Sequence, residues 1–227
     1  MKQSVKIQKI FLFGAGFHGQ TCIDIIEKQG KYKIIGIIDS LKEIGSFVDG
    51  YEVLGRMENL PALVKTYKTK TGFIGIGDNW IRKRISEDIY KREPAFEFVN
   101  IIHPSAIFGK NVTLGKGILI GADTFISSSC KLGDFCFLHH KAMLGLHNHL
   151  ADFSSVSLGS LTGGKVSIGS CSAITLRVVV MDRINIGTST IVGLGSVVVK
   201  DLPDFVVAYG NPAKIIRNRK ADDAYLQ

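Results

Sequence analysis

The chain has no long run of apolar residues and only four cysteines. No stretch of its 227 residues approaches the roughly 18 apolar residues that a membrane-spanning helix needs. The first residues, MKQSVKIQKIFLFGAG, lack the uninterrupted apolar stretch and the cleavage site of a signal peptide. The four cysteines show neither CxxC spacing nor the density of a disulfide-stabilised secreted domain. These features predict a cytoplasmic protein with reduced thiols and no membrane partner.

The composition is basic, with a formal net charge of +8 at pH 7, which suggests an anionic partner. The basic residues are dispersed along the chain and are not interleaved with aromatic residues, as single-stranded nucleic acid would favour. We therefore expect a polyphosphate ligand rather than a nucleic acid. A hydrophobic content of 45% is enough to fill a sizeable core.

Apolar residues recur at every sixth position from Ile102 to Val198. Of these 17 anchor positions, 16 are aliphatic or Phe and one is Thr162, where random placement at 45% hydrophobic content would give roughly 8. The residue after an anchor is often Gly, and the residue four positions after it is often small. Because a six-residue unit is too short to bury its own apolar face, it must stack on its neighbours as a parallel β-helix.

The first 100 residues have a different pattern, in which buried strands alternate with helices. The segment IQKIFLFGAG predicts a strand that runs into a Gly turn, and TCIDIIEKQG predicts a helix that Gly30 ends. Further strands are predicted at YKIIGIIDS and TGFIGIGDN, and a helix from Trp80 to Tyr90. This alternation predicts a small parallel α/β sheet.

A GxGxxG motif follows the first predicted strand and precedes the first helix, which is the context that places a phosphate at a helix N-terminus. Its glycines are Gly14, Gly16 and Gly19. Asp39 ends the second strand, where an acidic ribose contact belongs, and this favours nucleotide binding over a tight packing turn. The charge run from Arg82 to Arg84 is expected to be a solvated helix face.

Several segments together resemble the sialic acid O-acetyltransferase and UDP-4-amino-sugar N-acetyltransferase family, and the resemblance covers nearly the whole chain. They are FGAGFHGQ, IIDS, GIGDNWIRKRI, IIHPSAIFG and GNPAKIIR. The resemblance implies a left-handed β-helix with three hexapeptide units per triangular coil. It divides the chain into a Rossmann-like sugar-nucleotide-binding domain at 1–100 and a β-helix acyltransferase domain with a C-terminal tail at 101–227.

The same resemblance implies an activity, which is the acetyl-CoA-dependent acetylation of an amino or hydroxyl group on a nucleotide-linked sugar for surface glycan biosynthesis. The enzyme would be a homotrimer with acetyl-CoA in the groove between neighbouring β-helices. The implied contacts to the sugar nucleotide are Gly16, Phe17, His18, Asp39, Ser40 and Gly77. The implied contacts to acetyl-CoA, at outer corners of the later coils and in the tail, are Ser155, Leu176, Arg177, Gly193, Leu194, Gly195 and Lys214.

Four of the six histidines lie within LHHKAMLGLHNHLAD, and acyl transfer needs a base for which His is suited near neutral pH. His139 and His140 are predicted at a corner. His147 and His149, three and five residues after the anchor Leu144, are predicted on the next strand and to project outward from one face. The candidate catalytic residues are therefore His147, His149 and His140, with His147 as the base and backbone amides stabilising the oxyanion.

The sequence departs from the family at this point, because the usual hexapeptide has His, then an acidic residue, then Cys two places on. Ungapped counting puts Leu146 at the base position, His147 at the acidic position and Ser155 in place of a cofactor-binding histidine. Either the base has moved by one residue with a local backbone adjustment, or another histidine serves, or the activity has drifted. Asp152, the nearby acidic residue, receives no role.

Two other functions are open. One is a metalloenzyme like the γ-type carbonic anhydrases, which share the left-handed β-helix and gather three histidines around a metal at a subunit interface. The N-terminal domain and the GNPAK tail argue against it, and no metal ligand is predicted. The other is a non-catalytic trimeric scaffold that binds sugar nucleotides. The acceptor sugar, the acylated atom and the acyl group stay open.

Overall fold

The structure is a computed structural model that describes residues 7–225. The chain divides into two compact units. The first contains the residues up to Gly77 together with Ile81–Ile102, and the second contains Asp78–Trp80 together with the residues from His103 onward. Within residues 7–225, no helix has the length and apolar character needed to cross a membrane.

Residues 8–98 form an α/β fold. Its strands lie in the order β3-β4-β2-β1-β5-β6, and all neighbours pair in parallel except β3 and β4, which form an antiparallel hairpin. The elements, in chain order, are β1 (Gln8–Phe13), α1 (Phe17–Gln29), β2 (Tyr32–Ile38), β3 (Phe47–Val48), β4 (Tyr51–Gly55), a 3-10 helix (Met57–Asn59), α2 (Leu60–Tyr67), β5 (Thr71–Ile74), α3 (Asn79–Arg92) and β6 (Glu97–Phe98).

The predicted strands and helices of this part are confirmed, but the predicted sheet was too small. The strands β3, β4 and β6 and the helix α2 were missed because they are only two to eight residues long, which is too short for a periodicity to be recognised. Helix α1 ends as predicted. Gly30 adopts a left-handed conformation (φ 67°) and its N–H donates to the Ile26 carbonyl at 3.1 Å.

From residue 101 the chain repeats a two-residue strand every six residues, without an insertion, as the anchor count predicted. The strands are β7 (Ile101–Ile102), β8 (Ile107–Phe108), β9 (Thr113–Leu114), β10 (Leu119–Ile120), β11 (Phe125–Ile126), β12 (Lys131–Leu132), β13 (Phe137–Leu138), β14 (Met143–Leu144), β15 (His149–Leu150), β16 (Ser155–Val156), β17 (Leu161–Thr162), β18 (Ser167–Ile168), β19 (Ala173–Ile174), β20 (Val179–Val180), β21 (Asn185–Ile186), β22 (Ile191–Val192) and β23 (Val197–Val198).

From β8 to β20, each strand pairs in parallel with the strand 18 residues later, so three strands complete one coil. The coils present three faces. Face A contains β10, β13, β16, β19 and β22; face B contains β8, β11, β14, β17, β20 and β23; face C contains β9, β12, β15, β18 and β21. From Ile120 to Val198 every anchor is buried, whereas the first three anchors are not. The predicted β-helix class is thereby confirmed.

The faces meet at three corners, each a column of two-residue turns. Corner A/B consists of residues 122–123, 140–141, 158–159, 176–177 and 194–195. Corner B/C consists of residues 110–111, 128–129, 146–147, 164–165 and 182–183, and corner C/A of residues 116–117, 134–135, 152–153, 170–171 and 188–189. In every one of these turns the second residue has a positive φ.

The chain ends in a hairpin that extends face A. Strand β24 (Val206–Gly210) pairs in parallel with β22, and β25 (Ala213–Asn218) returns antiparallel to β24. The GNPAK motif forms the turn of this hairpin, with a cis peptide bond between Asn211 and Pro212. The motif therefore places a tight turn at the edge of the last coil.

The glycines of the N-terminal motif have different structural roles, and alanine substitutions should separate them. A Cβ on Gly19 would lie 2.2 Å from the Gly14 carbonyl oxygen, whereas a Cβ on Gly16 would meet nothing within 4 Å. We expect Gly19→Ala to lower the free energy of unfolding by about 1–3 kcal/mol or more, because the helix must move away from the turn. Gly16→Ala is the matched control and should leave stability nearly unchanged. Chemical denaturation measures both, and a Gly19→Ala protein as stable as the wild type would contradict this packing.

Candidate functional site

The carboxyl ends of β1, β2 and β5 enclose a small cavity of about 60 Å³ in the first unit. Gly14, with φ 105°, turns the chain out of β1, and its N–H donates to the Ile38 carbonyl at 3.0 Å. Gly16 is the N-cap of α1 and, being glycine, provides no side-chain cap to the helix N-terminus. An open helix N-terminus at the carboxyl edge of a parallel sheet suits a phosphate. The cavity is lined by Phe13, Gly14, Ile38, Asp39, Ser40, Met57, Ile76 and Ile85.

Asp39 connects the loops around this cavity through hydrogen bonds to their backbone N–H groups. Its Oδ2 accepts the Ala15 N–H at 2.7 Å, which ties the Gly turn to the end of β2. Its Oδ1 accepts the N–H groups of Leu41 and Lys42 at 2.8 and 2.9 Å. The carboxylate is thus held beside the glycine turn, where a ribose contact was predicted. Of the other predicted contacts, Ser40 is exposed and Phe17 is 89% exposed at the start of α1.

His18 and Gly77 lie against each other, because a Cβ on Gly77 would come within 2.3 Å of the imidazole Cε1. His18 is half-buried, and burial lowers the pKa of its imidazole below 6.5, with the positive charge of Arg82 as a second cause. The fold therefore favours the neutral ring. A neutral imidazole has one donor nitrogen and one acceptor nitrogen.

Arg82 corrects a prediction, since it is fully buried and not part of a solvated helix face. Its Nη1 donates to the carbonyl oxygens of Ile76 and Gly77, at 2.9 and 3.1 Å. These bonds fix the loop that follows β5 and, with it, the surface on which His18 rests. The sequence signal was only a basic run on a helix, in which Arg84 is indeed exposed. Helical periodicity did not reveal the inward position of Arg82.

The predicted catalytic histidines lie at two corners and on one face. His140 belongs to corner A/B, and its Nδ1 accepts the Ala122 N–H at 2.7 Å. That bond uses the Nδ1 lone pair, so the neutral ring carries its proton on Nε2 and acts as a donor there rather than as a base. Its neighbour His139 is buried, with its ring edge-on to Phe137.

His147 and His149 are both exposed, as predicted, but His147 is not on a strand. It occupies the positive-φ position (58°) of a turn at corner B/C, whereas His149 is the outward residue of β15 on face C. The prediction that the two project from a single face is therefore wrong. The reason is that a position three residues after an anchor is a corner position in every coil.

The backbone around these histidines has regular register. Met143–Leu144 pairs with Leu161–Thr162, and His149–Leu150 pairs with Ser167–Ile168, with no bulge between them. The strands on both sides of His147 therefore show no local backbone adjustment, and the identity of the base stays a prediction. Leu146 stands at the first turn position of corner B/C and is 53% exposed.

A buried polar pair anchors this corner from inside the coil. Asn148 is 1% exposed; its Oδ1 accepts the Val166 N–H at 2.7 Å, and its Nδ2 donates to Thr162 Oγ1. Thr162 is the one anchor that is not aliphatic or Phe. Its hydroxyl gives the buried amide of Asn148 the hydrogen-bond partner that it needs. The two side chains hold the turn of His147 against the next coil.

An open groove of about 480 Å³ runs along corner B/C. Leu146 and Met181 provide apolar surface, and His147, Lys165 and Arg183 provide basic side chains at successive positive-φ positions. The volume lies within the range of small-molecule sites. The groove is lined by Leu146, His147, Gly164, Lys165, Met181, Asp182 and Arg183.

Most residues predicted to contact acetyl-CoA lie along corner A/B. The last two turns of this corner, Leu176–Arg177 and Leu194–Gly195, are exposed. Gly193 directly precedes the second of them. Lys214 is exposed on β25. Ser155 corrects a prediction, since it is not at an outer corner. It lies on β16, is 6% exposed, and its Oγ accepts a hydrogen bond from Asn79 Nδ2 at 3.1 Å.

Asp152 is a turn residue of corner C/A, where its Oδ1 accepts the Asp134 N–H at 2.8 Å. Among residues 7–225 there is no group of three His, Cys, Asp or Glu side chains arranged to hold a metal ion. The histidine cluster of the sequence is therefore spread over two corners and a face, and it does not converge within one chain.

Comparisons with known proteins agree with this arrangement. Residues 9–89 match the PglD N-terminal domain family. The structure resembles a mutant of GDP-perosamine N-acetyltransferase from Caulobacter crescentus, solved with CoA and GDP-perosamine. The two are 31% identical over 95% of this chain and 100% of that one, with a TM-score of 0.86. The acetyltransferase domain of PglB from Neisseria gonorrhoeae, solved with acetyl coenzyme A, shares the fold at 24% identity over 92% of this chain and 100% of that chain, with a TM-score of 0.70.

The curated relatives match over a part of their length. Serine acetyltransferase 2 from Arabidopsis thaliana is 31% identical over 128 residues, which are 55% of this chain and 34% of that protein. The chain spans between about a quarter and just over half of the first relatives it matches. On the match to the Caulobacter enzyme, the chain belongs to the family of hexapeptide-repeat sugar acyltransferases.

The lowered pKa of His18 gives a test of the burial of its imidazole beside Arg82. Imidazole NMR should show His18 titrating below 6.5, and Arg82→Met should raise this pKa only part of the way to 6.5, because burial is the larger cause. The exposed Arg84→Met is the control and should leave it unchanged. Because the folded pKa is depressed, the associated stability is present above pH 6.5 and is lost as the pH falls through the folded pKa. A wild-type His18 that titrates at or above 6.5 would contradict the described burial.

Proposed function

We propose that the protein transfers an acetyl group from acetyl-CoA to the amino group of a sugar linked to a nucleoside diphosphate. The observation that carries the proposal is the whole-length match to an enzyme solved with CoA and GDP-perosamine. Three features support a nucleotide on the first unit. They are the N-terminus of α1, where Gly16 provides no side-chain cap, the carboxylate of Asp39 beside the glycine turn, and the neutral imidazole of His18. Acylation of nitrogen is favoured over oxygen because that relative is an N-acetyltransferase.

The chemistry requires one proton transfer and no covalent enzyme intermediate. The sugar amine attacks the thioester carbonyl, a carbon–nitrogen bond forms, and the tetrahedral oxyanion collapses with loss of the CoA thiolate. A base takes the proton from the nitrogen and a proton is returned to the thiolate. We assign the base to His147, because it is exposed in the groove of corner B/C, and the oxyanion to backbone N–H groups of the coil.

We also propose that the active site is completed by a second copy of the chain in a homotrimer. The outward residues of face B form an apolar ladder of Ile107, Phe125, Met143, Leu161, Val179 and Val197, of which the first five are between 37% and 58% exposed. Face C carries polar residues at the equivalent positions. A continuous exposed apolar strip of this kind favours association.

Corners A/B and B/C flank the apolar ladder on its two sides. If three copies pack with face B toward a three-fold axis, corner B/C of one copy approaches corner A/B of the next. His147 would then face the predicted acetyl-CoA residues Leu176, Arg177, Leu194 and Gly195 of a neighbouring copy. This arrangement explains why the predicted residues occupy two corners. The expected cytoplasmic location and the role in surface glycan synthesis stay predictions.

Release of free CoA tests the reaction and its base. Wild-type protein is incubated with acetyl-CoA and a panel of GDP-, UDP- and dTDP-linked amino sugars, beside His147→Ala, His149→Ala and His140→Ala. We expect turnover on at least one amino sugar, and His147→Ala should lower kcat by about 10²-fold or more because general-base help is lost. His149→Ala should retain most of the activity.

The remaining outcomes of this experiment are informative. A loss confined to His149→Ala or His140→Ala would move the base to that residue. Hydrolysis or transfer that depends on an added metal would favour the metalloenzyme. Binding of sugar nucleotides without turnover on any acceptor would favour a non-catalytic scaffold and would contradict the proposed acetyl transfer.

Charge on the apolar ladder tests the trimer. Met143→Glu and Leu161→Glu together should convert a species of three times the 24.8 kDa chain mass into a monomer in sedimentation velocity, because two carboxylates would be buried in an apolar interface. Thr113→Glu, on the exposed side of face C, is the matched control. A wild-type monomer, or a double variant that still sediments as a trimer, would contradict this interface.

A further inference from the structure

Lysine side chains gather at one edge of the N-terminal sheet, although they are spread along the sequence. The edge is formed by the amino ends of β2, β1 and β5, which are neighbours in that order. Five exposed lysines lie in these strands or shortly before them and are called the amino-edge lysines: Lys9, Lys31, Lys33, Lys68 and Lys70. The formal net charge of the chain is +8, so the fold concentrates much of its excess positive charge here.

Two of these lysines are placed directly against each other. Lys9 on β1 and Lys33 on β2 are register partners in neighbouring parallel strands, so their side chains leave the sheet on the same face. Like charges at opposite positions of paired strands are destabilising. Lys68 adds another positive charge, because it lines with Lys9 an open cavity of about 490 Å³. Folding therefore brings together charges that repel one another.

Carboxylates of the chain do not neutralise this edge. Among residues 7–225, none of the five amino-edge lysines forms an ion pair. Glu97, at the start of β6, is next to Lys70, since its backbone N–H donates to the Lys70 carbonyl at 2.8 Å, but the two side chains form no salt bridge. Glu27, near the end of α1, accepts a hydrogen bond from the Tyr51 hydroxyl at 2.8 Å. The edge therefore offers net positive charge to a partner outside the chain.

The amino-edge lysines lie away from the candidate ligand sites. The cavity beside Asp39 is at the carboxyl ends of the same strands. Strand β1 is six residues long, so about 20 Å of strand separates the two edges of the sheet. The groove of corner B/C belongs to the second unit. A partner of the amino edge is therefore an additional one, and it does not depend on the proposed acetyl transfer.

The chemistry of the edge favours an extended anionic surface over a small anion or a nucleic acid. Its cations come from three adjacent strands about 4.8 Å apart, so one phosphate group cannot contact all of them. All five are Lys, whereas bidentate recognition of single phosphates favours Arg. The aromatic residues at this edge, Tyr32 and Tyr67, are half-buried, and Tyr67 packs edge-on against Phe11. They do not form the exposed stacking surface that nucleic acid bases use.

We propose that the amino-edge lysines hold the protein against an anionic lipid bilayer. A lysine close to negatively charged headgroups strengthens such binding by about fivefold. Ile7 is 57% exposed and lines the same cavity as Lys9 and Lys68, so it provides an apolar side chain that can enter the headgroup region. The sequence predicted no membrane partner because it lacks a spanning segment, which a peripheral contact does not require.

Co-sedimentation of the full chain with lipid vesicles tests this surface. The vesicles consist of phosphatidylcholine alone or of phosphatidylcholine mixed with phosphatidylglycerol. One double variant is Lys9→Gln with Lys33→Gln, and the other is Lys68→Gln with Lys70→Gln. The matched control is Lys110→Gln with Lys131→Gln, which removes two exposed lysines from the β-helix.

We expect the wild type to bind the anionic vesicles and not those of phosphatidylcholine alone. Each double variant should lower the partition coefficient by about twentyfold, the product of two losses of about fivefold, while the control stays within about twofold of the wild type. Added NaCl should weaken the binding, because it screens the attraction.

Thermal unfolding without vesicles separates a lost contact from a damaged fold. At low ionic strength, the protein with Lys9→Gln and Lys33→Gln should unfold at the wild-type temperature or above it, because a repulsion is removed. A lower unfolding temperature would contradict the repulsion from which the surface is inferred.

Three results would overturn the proposal. The first is a wild type that does not bind anionic vesicles, and the second is a pair of double variants that bind them as tightly as the control does. The third is binding of a single-stranded oligonucleotide or of inorganic pyrophosphate that both double variants lose while vesicle binding is unchanged. That result would assign the edge to a nucleic acid or to a small anion instead of a bilayer.

Discussion

The structure depends on the closure of each coil onto the next. A strand of two residues has no apolar face large enough to be stable alone, so its anchor is buried only when the coils before and after it are in place. The backbone hydrogen bonds likewise join each coil to the next one. The N–H of His103 donates to the Ile120 carbonyl, that of Lys131 to Asn148 and that of Ser167 to Ile184, always 17 residues on. A shift by one residue in any coil would turn its anchors outward.

This constraint also determines where chemistry can occur. Anchors and interior corner positions are reserved for packing, so variable side chains are restricted to turns and to the outward strand positions. Residues 18 apart in sequence become neighbours about 4.8 Å apart, the spacing of paired strands. A ligand laid along a corner therefore meets His147, Lys165 and Arg183 in turn, although no local sequence window contains all three. Residues that are 18 positions apart in the sequence thus lie side by side on one surface of the β-helix.

The sequence predicted the repeat unit well because the signal is redundant. Seventeen anchors report the same geometry, and the single exception, Thr162, is balanced by a buried partner, Asn148. It predicted the N-terminal turn well because Gly14 and Gly30 adopt conformations that favour glycine. Short strands such as β3 and β6 were missed, since two residues carry no periodicity.

The candidate site was harder to predict, for two physical reasons. A position three residues after an anchor lies at a corner in every coil, but the six-residue repeat does not reveal this, nor whether the side chain is exposed like His147 or buried like Phe135 and Cys171. The inward direction of Arg82 depends on the carbonyls of the loop after β5, which are distant from any helical pattern. One signal was available: stepping by 18 residues from His147 reaches Lys165 and Arg183.

The backbone around Leu146 limits where a base can lie. Asn148 is held from inside by Thr162 and by the Val166 N–H, and the strands on both sides keep their register. Residue 147 therefore cannot slide into the place of residue 146, and a base at His147 acts from the positive-φ position of the turn. His147 thereby occupies the same turn position as Lys165 and Arg183 in the two following coils, and a base there would act from the corner column rather than from the turn position of Leu146.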